Sequence, residues 1–294
     1  MSGITPDPAI RAPGEKSAGP SRLAPPLPQA YPPLSGRPGP AHSCRLSGRE
    51  DAATVCLSHS LACSSVMWEP QMQALNHRFR VLRYDTRGHG GSEATPPPYT
   101  LDELADDVVA MLDALGIERV HWVGLSMGGM IGQNLGLRQP GRLLSLVLCD
   151  TLSVISDEAQ PVWADRIETA KREGMASLCE PTLERWFTPA YFEKDSTSLE
   201  SIRTQILNTP VAGYIGCCEA IRRINYIDRL NGISLPTRVI VGASDPATPP
   251  DDARAIQLRI EGSSLVTIDD AAHLSNVEKP EAFNSAVLGF LESQ

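Results

Sequence analysis

The sequence contains no long hydrophobic run, and no apolar stretch approaches the roughly 18 residues that a membrane-spanning helix needs. The N-terminal residues lack the basic-then-apolar pattern of a secretory signal. Lysine and arginine form no cluster, and the formal net charge of -9 argues against a nucleic-acid partner. These absences predict a cytoplasmic protein that acts on neither nucleic acids nor membranes.

The cysteines do not indicate a disulfide framework, because there are seven of them and their spacing is irregular. No zinc-ligand spacing occurs. This pattern favours reduced thiols and predicts no metal site. Hydrophobic residues make up 41% of the 294 residues, which is ample for a core. The length allows two domains or one large α/β domain with an insertion.

Residues 1–42 differ in composition from the rest of the chain. They hold eleven of the 25 prolines, together with glycine, serine and alanine, and almost no periodic apolar pattern. This composition predicts a disordered proline-rich arm. A start codon placed too far upstream and a partner-binding arm are the alternatives that the sequence leaves open.

From Cys44 onward, short apolar runs alternate with helical patterns. Predicted strands are 54–58, 79–84, 119–124, 143–149, 237–242 and 264–268, and predicted helices are 67–76, 101–115, 127–138 and 279–292. This alternation is typical of a mostly parallel sheet with helices on both faces and ligands at the carboxyl ends of the strands. Residues 153–228, rich in helix formers and aromatic residues, interrupt it. They predict a helical cap between two parts of an α/β core, 43–152 and 229–294, that excludes water and shapes substrate choice.

The most specific local pattern is the motif G-L-S-M-G at 124–128, directly after an apolar strand. A G-x-S-x-G motif between a strand and a helix forms a tight elbow that lifts the serine hydroxyl above the sheet. Ser126 is therefore the candidate nucleophile, and the amide of Met127 at the helix start is a candidate oxyanion donor. The alternative is a glycine-rich turn with a solvent-exposed serine, so the interpretation depends on partner residues.

A nucleophilic serine needs a base and an orienting acid, and on this type of fold they follow the serine in the order acid, histidine. His273 is the one histidine after Ser126, so it is the candidate base. Asp245 follows the buried strand 237–242 and is the preferred acid. Asp150, which ends an earlier strand, is a rival that could reach the same imidazole.

A second oxyanion donor is expected in the loop after the first core strand. His59-Ser60-Leu61 stands there, and the amide of Leu61 is the candidate. His59 precedes the elbow and is interpreted as a loop-ordering hydrogen-bond donor. The glycine-rich stretch 85–92 matches neither phosphate-binding pattern, so it is interpreted as a scaffold loop beside this region.

With these residues placed, the chain from Cys44 onward resembles the α/β-hydrolase superfamily and, more closely, the 3-oxoadipate enol-lactonases of the β-ketoadipate pathway. The stretches that carry the resemblance are YDTRGHGGS at 84–92, GLSMGGMIGQ at 124–133, LVLCDT at 146–151, RWFTP at 185–189, GYIGCCEAI at 213–221 and AAHLSNVEKPEAF at 271–283. The first two are widespread, whereas RWFTP and GYIGCCEAI lie in the predicted cap and are more discriminating. The proline-rich arm replaces the opening strands that such enzymes usually have.

The resemblance implies a serine hydrolase of aromatic catabolism that opens 3-oxoadipate enol-lactone to 3-oxoadipate through an acyl-enzyme, with no metal or organic cofactor. In this mechanism Ser126 attacks, His273 takes its proton and Asp245 holds the imidazole. The Leu61 and Met127 amides bind the oxyanion.

Other functions share these residues and stay open from sequence. Carboxylesterases, carbon–carbon bond hydrolases and cofactor-free perhydrolases use the same arrangement, and some members of the fold are small-molecule receptors. The substrate, a small lactone or ester, is the expected partner. The free carboxylate of the enol-lactone needs a cationic group, for which the candidates are Arg138, Arg185, Arg222 and Arg223.

Overall fold

The computed structural model describes Met1, the backbone of 29–31, and residues 41–194 and 197–294. Its strands are β1 (Gln29–Tyr31), β2 (His42–Gly48), β3 (Thr54–Ser58), β4 (Arg80–Tyr84), β5 (Val120–Leu125), β6 (Leu143–Cys149), β7 (Thr237–Gly242) and β8 (Ser264–Ile268). Within the described residues these eight strands form a single sheet in the order β1-β2-β4-β3-β5-β6-β7-β8.

The sheet is mostly parallel, as predicted. The six strands β4, β3, β5, β6, β7 and β8 lie in this order and each pairs in parallel with its neighbour. The antiparallel pairs are β1 with β2 and β2 with β4. Every residue of β3 and β5 is buried, because central parallel strands are covered on both faces and therefore read as continuous apolar runs. The carboxyl ends of β5, β7 and β8 meet at one edge, which brings the candidate residues together.

The opening edge of the sheet corrects the sequence analysis. β2 pairs with β4, with Cys44 opposite Tyr84, and Gln29–Tyr31 pairs with β2, so the expectation that the arm replaces the opening strands is wrong. In β2 only Ser43 and Cys44 are buried, so this strand has no apolar run to detect. Most of the predicted disordered arm, 1–42, lies outside the described residues.

Helices flank the strands in the predicted alternation. They are α1 (Glu69–Asn76), α2 (Leu101–Ala114), α3 (Met127–Arg138), α4 (Gln160–Glu173), α5 (Ala176–Trp186), α6 (Pro189–Phe192), α7 (Thr197–Asn208), α8 (Val211–Ile221), α9 (Pro250–Arg259), α10 (Ser275–Glu278) and α11 (Pro280–Leu291), with short 3-10 turns at Ser65–Trp68, Pro140–Arg142, Asp157–Ala159 and Ile227–Gly232. Helices α3 and α9 pack on the sheet, α2 packs against α3, and α1 and α11 pack against each other. Helix α9 was not predicted, because only Ala253 and Ile256 of it are buried, and its remaining residues are mostly polar apart from the exposed Leu258.

Helices α4 to α8 lie between β6 and β7 in the chain, and we call residues 153–228 the insertion. The two ends of the insertion lie side by side near the carboxyl end of β6, and the residues after the insertion cross to the opposite edge of the sheet, where the parallel strand β7 begins. A bridge between Val154 and Asn225 joins those ends. In α8, Gly213 lies backbone to backbone against Gly88 in the loop after β4, where an added Cβ would be 2.0 Å from the Gly88 carbonyl oxygen.

The seven cysteines are all free and buried. Burial raises the pKa of the Cys44 and Cys218 thiols to about 12, so both stay protonated and unreactive at neutral pH. Across the described part of the chain, no helix combines the length and the apolar character that crossing a bilayer requires.

Candidate active site

The elbow between β5 and α3 holds Ser126 in a backbone conformation that L-residues rarely adopt, with φ 56° and ψ -113°. The Ser126 N–H donates to the Cys149 carbonyl oxygen at 2.8 Å, and the Ser126 carbonyl oxygen accepts from the Thr151 hydroxyl at 2.7 Å. Glycine is required at Gly128, because a Cβ there would lie 2.1 Å from the Ser58 carbonyl oxygen. Backbone contacts on all sides therefore fix the strained turn.

Two backbone amides, those of Leu61 and Met127, are the predicted oxyanion donors. The amide of Met127 heads α3, where helix geometry leaves an N–H without an intrahelical acceptor. Leu61 lines the same cavity as Ser126. Within the described residues neither amide donates to a backbone carbonyl, so both are available to an anion.

Two buried histidines order the loop after β3. The His59 Nε2 accepts from the Thr86 N–H at 2.9 Å, while Nδ1 donates to the Ser60 carbonyl oxygen at 2.7 Å. The His89 Nε2 accepts from the Ala62 N–H at 3.0 Å. Burial lowers the pKa of both rings, that of His89 to about 3, so both stay neutral and can accept. His59 orders the loop as interpreted, whereas the sequence analysis assigned His89 no such contact.

The structure brings Asp245 and His273 into direct contact. The His273 Nδ1 donates to the Asp245 Oδ2 at 2.8 Å, and both side chains are buried. The Thr248 hydroxyl and N–H donate to the same carboxylate at 2.6 Å and 3.1 Å. Burial alone would raise the pKa of Asp245, but the charge and hydrogen bond of His273 and the Thr248 hydrogen bonds lower it below its ordinary value. Asp245 therefore stays ionised at neutral pH and fixes the Nδ1-protonated tautomer of His273.

Asp150, the rival acid, lies at the end of β6 but has other partners. Its Oδ1 accepts from the Gly242 N–H at 2.7 Å and its Oδ2 accepts from the Ser275 hydroxyl at 2.5 Å. Burial and the nearby charge of Asp245 raise its pKa well above the ordinary value. Asp150 thus joins the end of β7 to the residues after His273, and among the described residues its hydrogen bonds do not include the imidazole.

Ser126 and His273 both line a cavity of about 440 Å³, together with Leu61. The remaining walls come largely from the loop after β6 and from α4 and α5 of the insertion, including Trp163 and Trp186. No hydrogen bond of the Ser126 hydroxyl to a described residue is formed. In enzymes, a hydrogen bond between a nucleophile and its base is often long without substrate and shortens when substrate binds. The observation that bears on the prediction is therefore that Ser126 and His273 line the same cavity.

Three of the four arginine candidates for a substrate carboxylate are engaged elsewhere. Arg138 pairs with Asp106 at 3.2 Å, and Arg222 and Arg223 pair with Glu219 at 3.0 Å and 2.8 Å. None of the three lines the cavity that contains Ser126.

Arg185 does line that cavity, and so does Arg166, which the sequence analysis missed. Both are half-buried, and no carboxylate of a described residue lies within ion-pair distance of either. The Arg166 guanidinium lies over the Trp163 ring at 5.3 Å from its centroid. No local pattern marks Arg166, because its position depends on how α4 packs over the core.

A family model described as the alpha/beta hydrolase fold matches residues 53–280. The chain belongs to this family. It is similar to 3-oxoadipate enol-lactonase 1 of Acinetobacter baylyi, with 36% identity over 260 residues that cover 88% of this chain and 96% of the relative. The resemblance found in the sequence is confirmed, and the chain is a hydrolase.

Two solved structures are similar over most of the chain. The enol-lactonase from Burkholderia xenovorans LB400 superposes with a TM-score of 0.85 and 38% identity, covering 90% of this chain and all (100%) of that one. A thermophilic esterase from Thermogutta terrifontis, solved with malate bound, gives a TM-score of 0.84 and 29% identity, covering 91% of this chain and 98% of that one.

Proposed function

We propose that the protein hydrolyses 3-oxoadipate enol-lactone to 3-oxoadipate, with Ser126 as the nucleophile. The proposal depends on one cavity that is lined by Ser126, by the Asp245-bound His273 and by two arginines without a carboxylate partner among the described residues. The similarity to proteins named enol-lactonase supports the choice of substrate.

In the proposed reaction His273 accepts the proton of Ser126 as Oγ attacks the ring carbonyl. Asp245 holds the imidazole tautomer and stabilises its protonated form. Ring opening expels an enol oxygen, which becomes a ketone, so the leaving group is good. Water activated by His273 then hydrolyses the acyl-enzyme.

The Leu61 and Met127 amides are the proposed donors to the oxyanion that forms on the carbonyl oxygen. Each donor of this kind typically lowers the barrier by about 3 kcal/mol. This stabilisation requires that both amides are held in fixed positions. The strained elbow fixes Met127, and hydrogen bonds to the neutral His59 and His89 fix the loop that contains Leu61.

Arg166 and Arg185 are the proposed partners of the substrate carboxylate. A protein of net charge -9 needs local cations to attract an anion, and an arginine without a carboxylate partner among the described residues has two parallel N–H donors for a carboxylate. Both arginines belong to the insertion, so we infer that residues 153–228 act as a cap that selects the substrate while the core performs the chemistry.

A carboxylesterase is the second candidate function, and the rim of the cavity favours it. Val154 and Val162 line the cavity and are exposed, with 38% and 56% of their surface accessible. An apolar rim suits an ester with an alkyl group. A lactonase should turn over the enol-lactone much faster than p-nitrophenyl acetate, whereas a broad esterase should show similar rates on both.

Replacement of Ser126 by alanine tests the mechanism. We expect S126A to lose at least about 1000-fold in kcat on the enol-lactone, because the covalent intermediate cannot form. Ser156 is an exposed serine on the same cavity, so S156A is the matched control and should keep the wild-type rate. Undiminished turnover by S126A would refute the proposed mechanism.

A further inference from the structure

Hydrogen bonds connect the residues on both sides of His273, directly or through Glu278, to the insertion. After His273, the Leu274 N–H donates to the Trp186 carbonyl oxygen at 3.2 Å. Before it, the Ala272 N–H donates to the Glu278 Oε2 at 2.9 Å. The Trp186 ring also packs on the imidazole, with centroids 5.7 Å apart. Both flanking peptides and the ring of His273 are therefore held together with the C-terminal end of α5.

Glu278 links these segments, and we call its hydrogen bonds to Ala272 and Thr188 the Glu278 joint. Glu278 is the last residue of α10 and is buried, with 7% of its surface exposed. Besides Ala272, its carboxylate accepts from the Thr188 N–H at 3.2 Å and from the Thr188 hydroxyl in a short hydrogen bond. One buried carboxylate thus joins the residue before His273 to the insertion, and its three donors offset the cost of burying its charge.

These contacts lie behind the reaction centre. Glu278, Thr188 and Ala272 border a separate cleft and do not line the cavity of Ser126. Glu278 can therefore affect the reaction only through the segments that it joins, the backbone that carries His273 and residues 186–188. Proton transfer depends steeply on geometry, because a displacement of about 1 Å can cost about 100-fold in rate.

We propose that Glu278 is a positioning residue that couples the insertion to His273 through Thr188. The imidazole is correctly placed for proton transfer when residues 186–188 are docked on the loop 272–278, and it shifts when they separate. This inference rests on the proposed serine mechanism. It assigns RWFTP, the stretch at 185–189 that carries the family resemblance, a role in positioning the base as well as in lining the cavity.

Thr188→Val tests the coupling, because it removes the hydroxyl donor and keeps the branched shape and the N–H. We expect kcat to fall about tenfold on both enol-lactone and p-nitrophenyl acetate, with KM nearly unchanged, since the lost contact positions the base and touches no substrate. The rate at which a fluorophosphonate labels Ser126 should fall by the same factor. Thr188→Ser restores the donor and should restore all three rates.

Glu278→Gln is the second variant and covers the case in which Thr188→Val does not fold. It keeps the side-chain volume but turns an NH2 group towards one of the backbone donors, and it should impair kcat at least as strongly. Thermal melts must show folded protein. A folded Thr188→Val with wild-type kcat, an equal loss in Thr188→Ser, or a loss confined to KM would each overturn the coupling.

The labelling reaction also separates the two proposals. Wild-type protein that the fluorophosphonate does not label would refute the serine mechanism, and the coupling with it. Labelled wild-type protein with an unaffected Thr188→Val would refute the coupling alone.

Discussion

Two buried carboxylates follow neighbouring strands of this sheet, and their different surroundings give them different protonation behaviour. Asp245 faces an imidazole and stays ionised, whereas Asp150 accepts from a backbone N–H and the Ser275 hydroxyl. Asparagine at position 150 can keep both contacts, because its oxygen accepts from Gly242 and its NH2 donates to Ser275. Asparagine at position 245 cannot keep the charge that stabilises the protonated imidazole.

We therefore expect Asp245→Asn to lower kcat by about 1000-fold or more and Asp150→Asn to leave kcat near the wild-type value. The two variants are matched in chemistry and differ in which carboxylate they neutralise. Steady-state kinetics on the enol-lactone measures the difference. A severe loss in Asp150→Asn with activity retained in Asp245→Asn would reverse the assignment of the acid.

The same pair has a stability signature with a definite sign. Because the pKa of Asp150 is raised in the folded protein, the unfolded chain releases this proton first, and the contribution of Asp150 to stability falls as the pH rises above about 4, at up to about 1.4 kcal/mol per pH unit. Asp150→Asn removes that term. Its free energy of unfolding relative to wild type should therefore improve from pH 4 to pH 7 in urea titrations, and a difference independent of pH would contradict this account.

Arg166 and Arg185 are the residues that should distinguish a charged substrate from a neutral one. A hydrogen-bonded ion pair in a half-buried site contributes about 1.5–3 kcal/mol, so alanine at either position should raise KM for the enol-lactone by about 10- to 100-fold. KM for the neutral p-nitrophenyl acetate should stay the same. Arg223→Ala, which removes an arginine paired with Glu219 outside the cavity, is the control. Equal changes on both substrates would indicate altered cavity shape instead of lost charge recognition.

At the scale of elements, the insertion is held on the core by close backbone contact as well as by the Glu278 joint. Helix α8 crosses the loop after β4 at Gly213 and Gly88, and nearby Gly216 lies against the Tyr99 ring. Side chains at these crossings would separate the two backbones. The glycines of GYIGCCEAI thus set the distance at which α8 docks.

Gly213→Ala should therefore destabilise the protein by at least about 1–3 kcal/mol, because the new methyl group meets the Gly88 backbone, which cannot move aside as a side chain would. Gly289→Ala is the matched control. It lies in α11 with nothing within 4 Å of an added Cβ, and it should raise stability by about 0.5–1 kcal/mol through its effect on the unfolded chain. Urea unfolding of both variants measures the contrast, and equal effects would contradict the close-contact argument.

At the scale of the whole molecule, the sequence predicted what local patterns encode. The buried strands β3, β5, β6 and β7 are predominantly apolar, and the elbow at Ser126 is a contiguous motif. Strand β2 and helix α9 were not predicted, because few of their residues are buried. Fold class and family are confirmed, whereas the assignment of the catalytic residues stays a prediction.

The features that the sequence did not predict depend on contacts between distant parts of the chain. Thr188 and Glu278 are 90 positions apart and meet because the insertion folds back over the loop of His273. Arg166 reaches the cavity for the same reason. Residue type and spacing do not predict such long-range contacts, because each contact depends on how the helices of the insertion pack on the core.

The Val154–Asn225 bridge, which brings the two ends of the insertion together, has an evolutionary consequence. Recombination at these two adjacent points can exchange the intervening polypeptide as a cassette without altering any register of the sheet. A chimaera grafted there would inherit the host's nucleophile and base together with the donor's choice of substrate. Such a graft should work best when the donor also supplies a hydroxyl that can reach the host's buried glutamate.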